Sequence, residues 1–146
     1  LNILIKFLIT IDRNTNGKKI LFPIHPRTSK ILENNDLELK NFHFLEPLSY
    51  LEFIYTVKNS MGVITDSGGI TEETTFLGIP CLTLRDNTER PETVEIGTNE
   101  LIGTNPDNLQ SSLNLILQGR WKKGGIPKFW DGKTAQRIVE HLIKIY

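Results

Sequence analysis

The chain has 146 residues, and its 17 Lys plus Arg balance 17 Asp plus Glu, so the formal net charge is zero; this length suits one domain. Such neutrality argues against a protein that tracks a nucleic-acid backbone and against a polybasic membrane-surface segment, both of which need a basic excess. With 38% hydrophobic and 23% charged residues the composition is globular rather than disordered, and a chain this size buries roughly two-thirds of its unfolded surface, enough for one core.

The first segment, residues 1–11, is apolar at helical spacing. It is broken by Asn2, Lys6 and Thr10, is too short for a membrane span, and lacks the basic start and cleavage site of a signal peptide. It opens on Leu without an initiator Met, which points to a fragment of a longer protein. Asn14-Thr15-Asn16-Gly17 closes this helix. A β-rich run at 19–24 leads to a helix at 27–34 and a turn at 34–36, then a strand at 42–45 and a helix at 49–59. Ser49, with Glu52 three residues on, makes a capping box for that helix. Strands follow at 62–65, 81–84 and, weakly, 100–102, separated by a helix at 69–77; helices at 106–118 and 133–145 complete the chain. The four glycines and two tryptophans of 119–132 read as an irregular connection. Alternating strands and helices imply a parallel sheet wrapped by helices, in a single unit over 1–146.

Cys81, the sole cysteine, cannot form an internal disulfide. In the run Ile79-Pro80-Cys81-Leu82 it reads as a small buried hydrophobe rather than a reactive thiol, which is compatible with a cytoplasmic setting. No Cys/His cluster has zinc spacing, no paired acids suggest a dedicated metal site, and neither G-x-S-x-G nor a P-loop occurs.

Three stretches can carry chemistry. In Val63-Ile64-Thr65-Asp66-Ser67-Gly68-Gly69-Ile70 a strand ends and a helix begins. Helix N-termini expose unpaired N–H groups, Gly68 and Gly69 remove the Cβ atoms that would hold an anion away, and Ser67 adds a hydroxyl donor. The same turn also serves backbone geometry alone. Glu72 and Glu73 favour the helix dipole, and a carboxylate there can also accept from a sugar diol. The second stretch is Leu84-Arg85-Asp86-Asn87-Thr88-Glu89-Arg90-Pro91-Glu92, expected at the same sheet edge. Between Asp66 and Glu95 stand seven acidic residues against Arg85 and Arg90. Anion capture here would rest on backbone donors plus one or two arginines, and the alternative is a solvated, internally paired loop. The third is Phe22-Pro23-Ile24-His25-Pro26-Arg27, where His25 is held between two prolines at a strand end. It suits proton or phosphate work, or packing. His43 and His141 have no such setting.

Together these stretches resemble the UDP-N-acetylglucosamine 2-epimerase family. The resemblance runs through 22–27, Glu46-Pro47-Leu48-Ser49-Tyr50-Leu51-Glu52-Phe53, 65–73, Leu77-Gly78-Ile79-Pro80-Cys81 and 84–95. It closes with Gly97-Thr98, Leu101-Ile102-Gly103-Thr104 and Trp130-Asp131-Gly132-Lys133. Asp-Ser-Gly-Gly-x-x-Glu-Glu, followed at this distance by Arg-Asp-x-Thr-Glu-Arg-Pro-Glu, is its most specific part. The resemblance implies an α/β, Rossmann-like three-layer domain with a parallel sheet, the carboxyl-terminal half of a GT-B-type architecture whose first domain is absent. By motif, it assigns Ser67, Gly68 and Gly69 to the diphosphate turn, Glu73 to the ribose diol and Phe53 to the uracil. Arg90 becomes the cleft arginine, and His25 the histidine that contacts the diphosphate region and contributes to catalysis. Leu48 departs from members with a polar side chain near the base, leaving uracil to backbone groups.

The implied reaction interconverts UDP-GlcNAc and UDP-ManNAc by elimination and re-addition of UDP, without cofactor or metal. The carboxylates handling the C2 proton belong to the amino-terminal domain, so this chain alone would bind UDP weakly and turn nothing over. The implied setting is a cytoplasmic homodimer serving polysaccharide biosynthesis, with no nucleic-acid or membrane partner. A hydrolysing relative releasing free ManNAc, a stand-alone nucleotide-binding module and a glycosyltransferase donor domain are the competing readings; the motifs rather than the α/β pattern weigh against the last.

Overall fold

The structure, a computed structural model, describes residues 2–33 and 37–146; the turn expected at 34–36 lies outside the described residues. Helix α1 (Asn2–Asn14) leads to strand β1 (Ile20–Pro23), α2 (Pro26–Glu33), β2 (Phe42–Leu45) and α3 (Tyr50–Lys58). Then come β3 (Val63–Thr65), α4 (Gly68–Leu77), β4 (Cys81–Thr83), α5 (Pro91–Glu95) and β5 (Asn99–Leu101). A single 3-10 turn (Pro106–Asn108) precedes α6 (Leu109–Leu117), and α7 (Thr134–Ile145) ends the chain. Every element expected from periodicity is present. One was not expected: α5 lies where the charge run had suggested an irregular loop.

All strand pairings are parallel, but the ladder comes in two pieces. β1 pairs with β2 through Ile20↔Phe42 to Pro23↔Leu45. β4 lies between β3 and β5, with Thr65, Thr83 and Leu101 in register at the carboxyl end. Strands of three or four residues carry few ladder bonds, so apolar side chains join the pieces. Phe7, Leu8 and Ile11 of α1, Leu32 of α2 and Phe42 of β2 share one buried cluster with Leu82, Leu109, Leu113 and Ile116. Edge-to-tilted packing of Phe22 on Phe42 and Phe44, at 6.0 and 5.9 Å between ring centres, braces the β1–β2 pair.

Strand pleating explains the layering. Leu82 enters the cluster beneath α1 and α6, while Cys81 and Thr83 face α4, with the Thr74 and Thr83 hydroxyls beside the Cys81 thiol. Helices therefore cover both faces, the three-layer arrangement the family resemblance implied. Burial pushes the Cys81 thiol above its usual pKa, outweighing the opposite influence of those two hydroxyls.

The interface of β4, β5 and α5 is polar. Thr83 Oγ1 donates to Asn99 Oδ1 at 2.6 Å, Asn99 Nδ2 donates to Thr93 Oγ1 at 3.2 Å, and Thr93 Oγ1 donates to the Arg90 carbonyl at 2.7 Å. Asn99 and Thr93 have no solvent exposure. This chain of bonds fixes where α5 starts. Ser49 caps α3 as expected: Glu52 accepts from the Ser49 N–H at 2.9 Å and its hydroxyl at 2.6 Å. Those two bonds, the hydroxyl foremost, hold the Glu52 carboxyl below its usual pKa. Helix α7 keeps Ile138, Val139, Leu142 and Ile143 about half exposed or more.

Two outcomes follow from this packing. Asn99→Leu should lower unfolding free energy by about 2–3 kcal/mol in a urea titration, because it strands the buried Thr83 hydroxyl. In native protein at pH 7, Cys81 should resist a thiol reagent and react at once after urea unfolding.

Candidate functional site

The parallel register brings three loops to one edge. Beyond β3 lies 66–67, beyond β4 lies 84–90, and beyond β5 lies 102–105. Backbone bonds extend the pairing past the strands: Leu84 N–H to the Thr65 carbonyl at 2.8 Å, and Ile102 N–H to that of Thr83 at 2.9 Å. Gly103 N–H reaches the Arg85 carbonyl at 3.2 Å. Ligands of open α/β sheets bind at such an edge.

Ser67 is the N-cap of α4, in extended conformation, and its hydroxyl makes no capping bond. Its N–H is turned back onto Thr65 Oγ1 at 3.0 Å. Gly68 and Gly69 are the first two helical residues, where N–H groups have no partner within the helix. A Cβ on Gly69 would meet nothing within 4 Å, and one on Gly68 would meet only Arg85 Nη1, at 3.7 Å. Neither glycine adopts positive φ. The fold itself therefore has no need of glycine at either position.

Glu73 lies in the second turn of α4, half-buried. Its neighbour Glu72 receives Arg90 Nε at 3.0 Å, and Arg90 Nη1 also donates to the Glu89 carbonyl at 3.1 Å. Arg90 is thereby laid along α4. Phe53 sits half-buried on α3, which packs on α4, so the uracil candidate and the turn belong to neighbouring helices. His25 is exposed between β1 and α2, with its carbonyl accepting from the N–H groups of Thr28 and Ser29 at 2.8 and 3.1 Å.

Two hollows lie away from the turn. One, of about 520 Å³, lies among Ile24, Ser29, Leu32, Leu37, Glu38, Leu39 and Phe44. The other, about 420 Å³, lies among Leu48, Leu51, Glu52, Tyr55 and Thr56. A site made of backbone N–H groups on an open edge needs no enclosure. Among the described residues no three or more His, Cys, Asp or Glu side chains are grouped to hold a metal ion. No helix among them is long and apolar enough to cross a membrane.

Two features escaped sequence reasoning. Pro91 at the first position of α5 was a readable helix signal, overshadowed by the flanking charges. The seating of Arg85 against Gly68 had no signal, since it depends on the β3–β4 register.

The family profile described as UDP-N-acetylglucosamine 2-epimerase matches residues 1–143. The chain belongs to the UDP-N-acetylglucosamine 2-epimerase family. It is 45% identical over 132 residues to the UDP-N-acetylglucosamine 2-epimerase of Methanocaldococcus jannaschii, a match spanning 86% of this chain and 35% of that protein. It is 36% identical over 130 residues to the UDP-2,3-diacetamido-2,3-dideoxy-D-glucuronate 2-epimerase of Pseudomonas aeruginosa, spanning 89% of this chain and 36% of that one. The crystal structure of the M. jannaschii enzyme in complex with UDP-GlcNAc and UDP matches with a TM-score of 0.74 and 41% identity, over 98% of this chain and 40% of that chain. This epimerase-family chain thus spans about a third of the length of the curated relatives it matches, and the α/β architecture agrees with GT-B-type epimerases.

Replacing Gly69 by Ala should leave the ligand-free protein as stable or more stable, by up to about 1 kcal/mol, measured by thermal unfolding. Destabilisation would show that the fold, not a ligand, requires glycine there.

Proposed function

We propose that residues 1–146 are one UDP-binding, Rossmann-like domain, the carboxyl-terminal domain of a non-hydrolysing UDP-GlcNAc 2-epimerase. The observation that carries this reading is the pair Gly68–Gly69: two glycines at a helix N-terminus, in ordinary conformation, facing space that Cβ atoms could occupy without clash. Their absent side chains favour the close approach of something outside the chain, and the helix end favours an anion. The two relatives support the nucleotide as ligand. Their names give different sugars, GlcNAc and a diacetamido-glucuronate, but a shared UDP.

In this reading the N–H groups of Gly68 and Gly69 and the Ser67 hydroxyl hold the diphosphate. Glu73 accepts from the ribose diol, Phe53 lies beside uracil, Arg90 adds cationic charge and His25 contacts the diphosphate region from the β1 side. The reaction removes the C2 proton and breaks the C1–O bond, releasing UDP and a 2-acetamidoglucal. UDP then returns to C1 while a proton returns to C2 on the other face. Charge develops on the leaving diphosphate, so donors fixed before the reaction lower the barrier without reorganising. The amino-terminal domain supplies the C2 carboxylates, and the complete enzyme is a cytoplasmic homodimer feeding polysaccharide synthesis.

Calorimetry should detect UDP binding to this chain, and Ser67→Ala combined with Gly69→Val should abolish it while circular dichroism stays unchanged. UDP binding that survives this double substitution would move the phosphate site elsewhere. NMR of UDP-GlcNAc incubated with the isolated chain should show no UDP-ManNAc; turnover would refute the need for a second domain.

A further inference from the structure

We propose that Arg85, to which the family resemblance assigns no role, is a guanidinium of the anion turn beside Arg90 and binds the diphosphate directly. The inference rests on the UDP reading above. Its basis is an electrostatic conflict within the chain. Arg85 Nη1 lies 3.7 Å from where a Gly68 Cβ would be, so its guanidinium rests against the first residue of α4. That end of a helix carries the positive end of the dipole and prefers anions. A cation there is opposed by the helix it touches.

Among the described residues, the ion pair of Arg85 relieves this conflict poorly. The carboxylate paired with Arg85 is that of Glu89, at 4.0 Å, with 81% of its side chain exposed. A pair that long and that wet contributes little. Arg90 is a useful contrast: Glu72 engages it at 3.0 Å and the Glu89 carbonyl occupies its Nη1. Of the two arginines in this loop, Arg90 has close protein acceptors on part of its guanidinium, while Arg85 has only the long pair with Glu89 among the described residues.

Placement of Arg85 is nevertheless firm. Its carbonyl accepts from Gly103 N–H at 3.2 Å, and the preceding Leu84 N–H is tied to Thr65 at 2.8 Å. The residue is thus anchored between the loops that follow β3 and β5. An anion at the turn would touch helix N–H groups and guanidinium together, and the repulsion between the two positive groups becomes joint attraction. A diphosphate fits better than a single carboxylate, because its two phosphoryl groups can occupy helix N–H groups and planar guanidinium at once. In the reaction Arg85 would also stabilise the charge arriving on the departing diphosphate.

The test measures UDP, UMP and uridine binding to the chain and to Arg85→Ala and Arg85→Lys, by protein-observed NMR titration. Arg85→Ala should weaken UDP binding roughly tenfold or more, UMP less and uridine not at all, with Arg85→Lys intermediate. Without ligand, Arg85→Ala should melt at the same temperature as the parent or higher, since it removes a misplaced cation. Unchanged UDP affinity in Arg85→Ala, while the Ser67→Ala, Gly69→Val protein loses binding, would overturn the role of Arg85 and leave the UDP reading intact. Absence of UDP binding to the parent chain would overturn both. A clearly lower melting temperature for ligand-free Arg85→Ala would make Arg85 structural and overturn the inference on its own.

Discussion

Everything at the candidate edge depends on the double pairing of β4. Its three residues, Cys81, Leu82 and Thr83, are buried and hydrogen-bonded on both sides. A slip of one residue would turn Leu82 out of the apolar cluster and drive a threonine into it, so the register is tightly held. That register aligns the ends of β3, β4 and β5, and the alignment brings Arg85 to Gly68 and Arg90 to Glu72. Side chains far apart in sequence become neighbours because three short strands end together.

The layer above β4 is unusual in its chemistry. Helix α4 buries Thr71, Thr74 and Thr75 rather than leucines. Buried hydroxyls need acceptors, and Thr71 and Thr74 find them in the helix, at the Gly68 carbonyl (2.6 Å) and the Ile70 carbonyl (3.0 Å). A helix of β-branched residues starting with two glycines has weak intrinsic propensity. Its position comes from packing on β4 and α5, so the turn at its head is held from below by the sheet and not by its own sequence.

Much of this was legible in the chain. The 3.6- and 2-residue periods placed the helices and strands, and Ser49 with Glu52 announced the start of α3. The glycine turn was readable because it is local: strand, small residues and helix follow one another directly. What escaped was non-local or masked. The short α5 lay within a run of acids, and Pro91 alone marked it. The Arg90–Glu72 pair spans 18 residues, and the approach of Arg85 to Gly68 spans 17 positions from 68 to 85, so neither leaves a periodic trace. The division of the ladder into two pieces was equally invisible, since hydrophobic pattern reports burial and not which strands share hydrogen bonds. His25 was conspicuous for its two prolines, and it stands just past the end of β1, before α2.

The irregular connection after α6 bears on how this sequence can drift over generations. Trp121 donates to the Thr98 carbonyl at 2.8 Å and Gly125 to that of Ile96 at 2.7 Å, drawing the segment across the α5–β5 junction. There two backbones come together: a Cβ on Gly124, which has φ of 62°, would lie 2.8 Å from the Gly97 carbonyl oxygen, and one on Gly97 would lie 2.6 Å from that of Thr93. The buried hydroxyls of Thr75 and Thr98, for which the described residues offer no hydrogen-bond partner, flank this contact. Substitution at either glycine would push on Thr93 or Thr98, within the polar layer that fixes Arg90. Two positions with no chemistry of their own thus bound the sequence space open to the loops that have it.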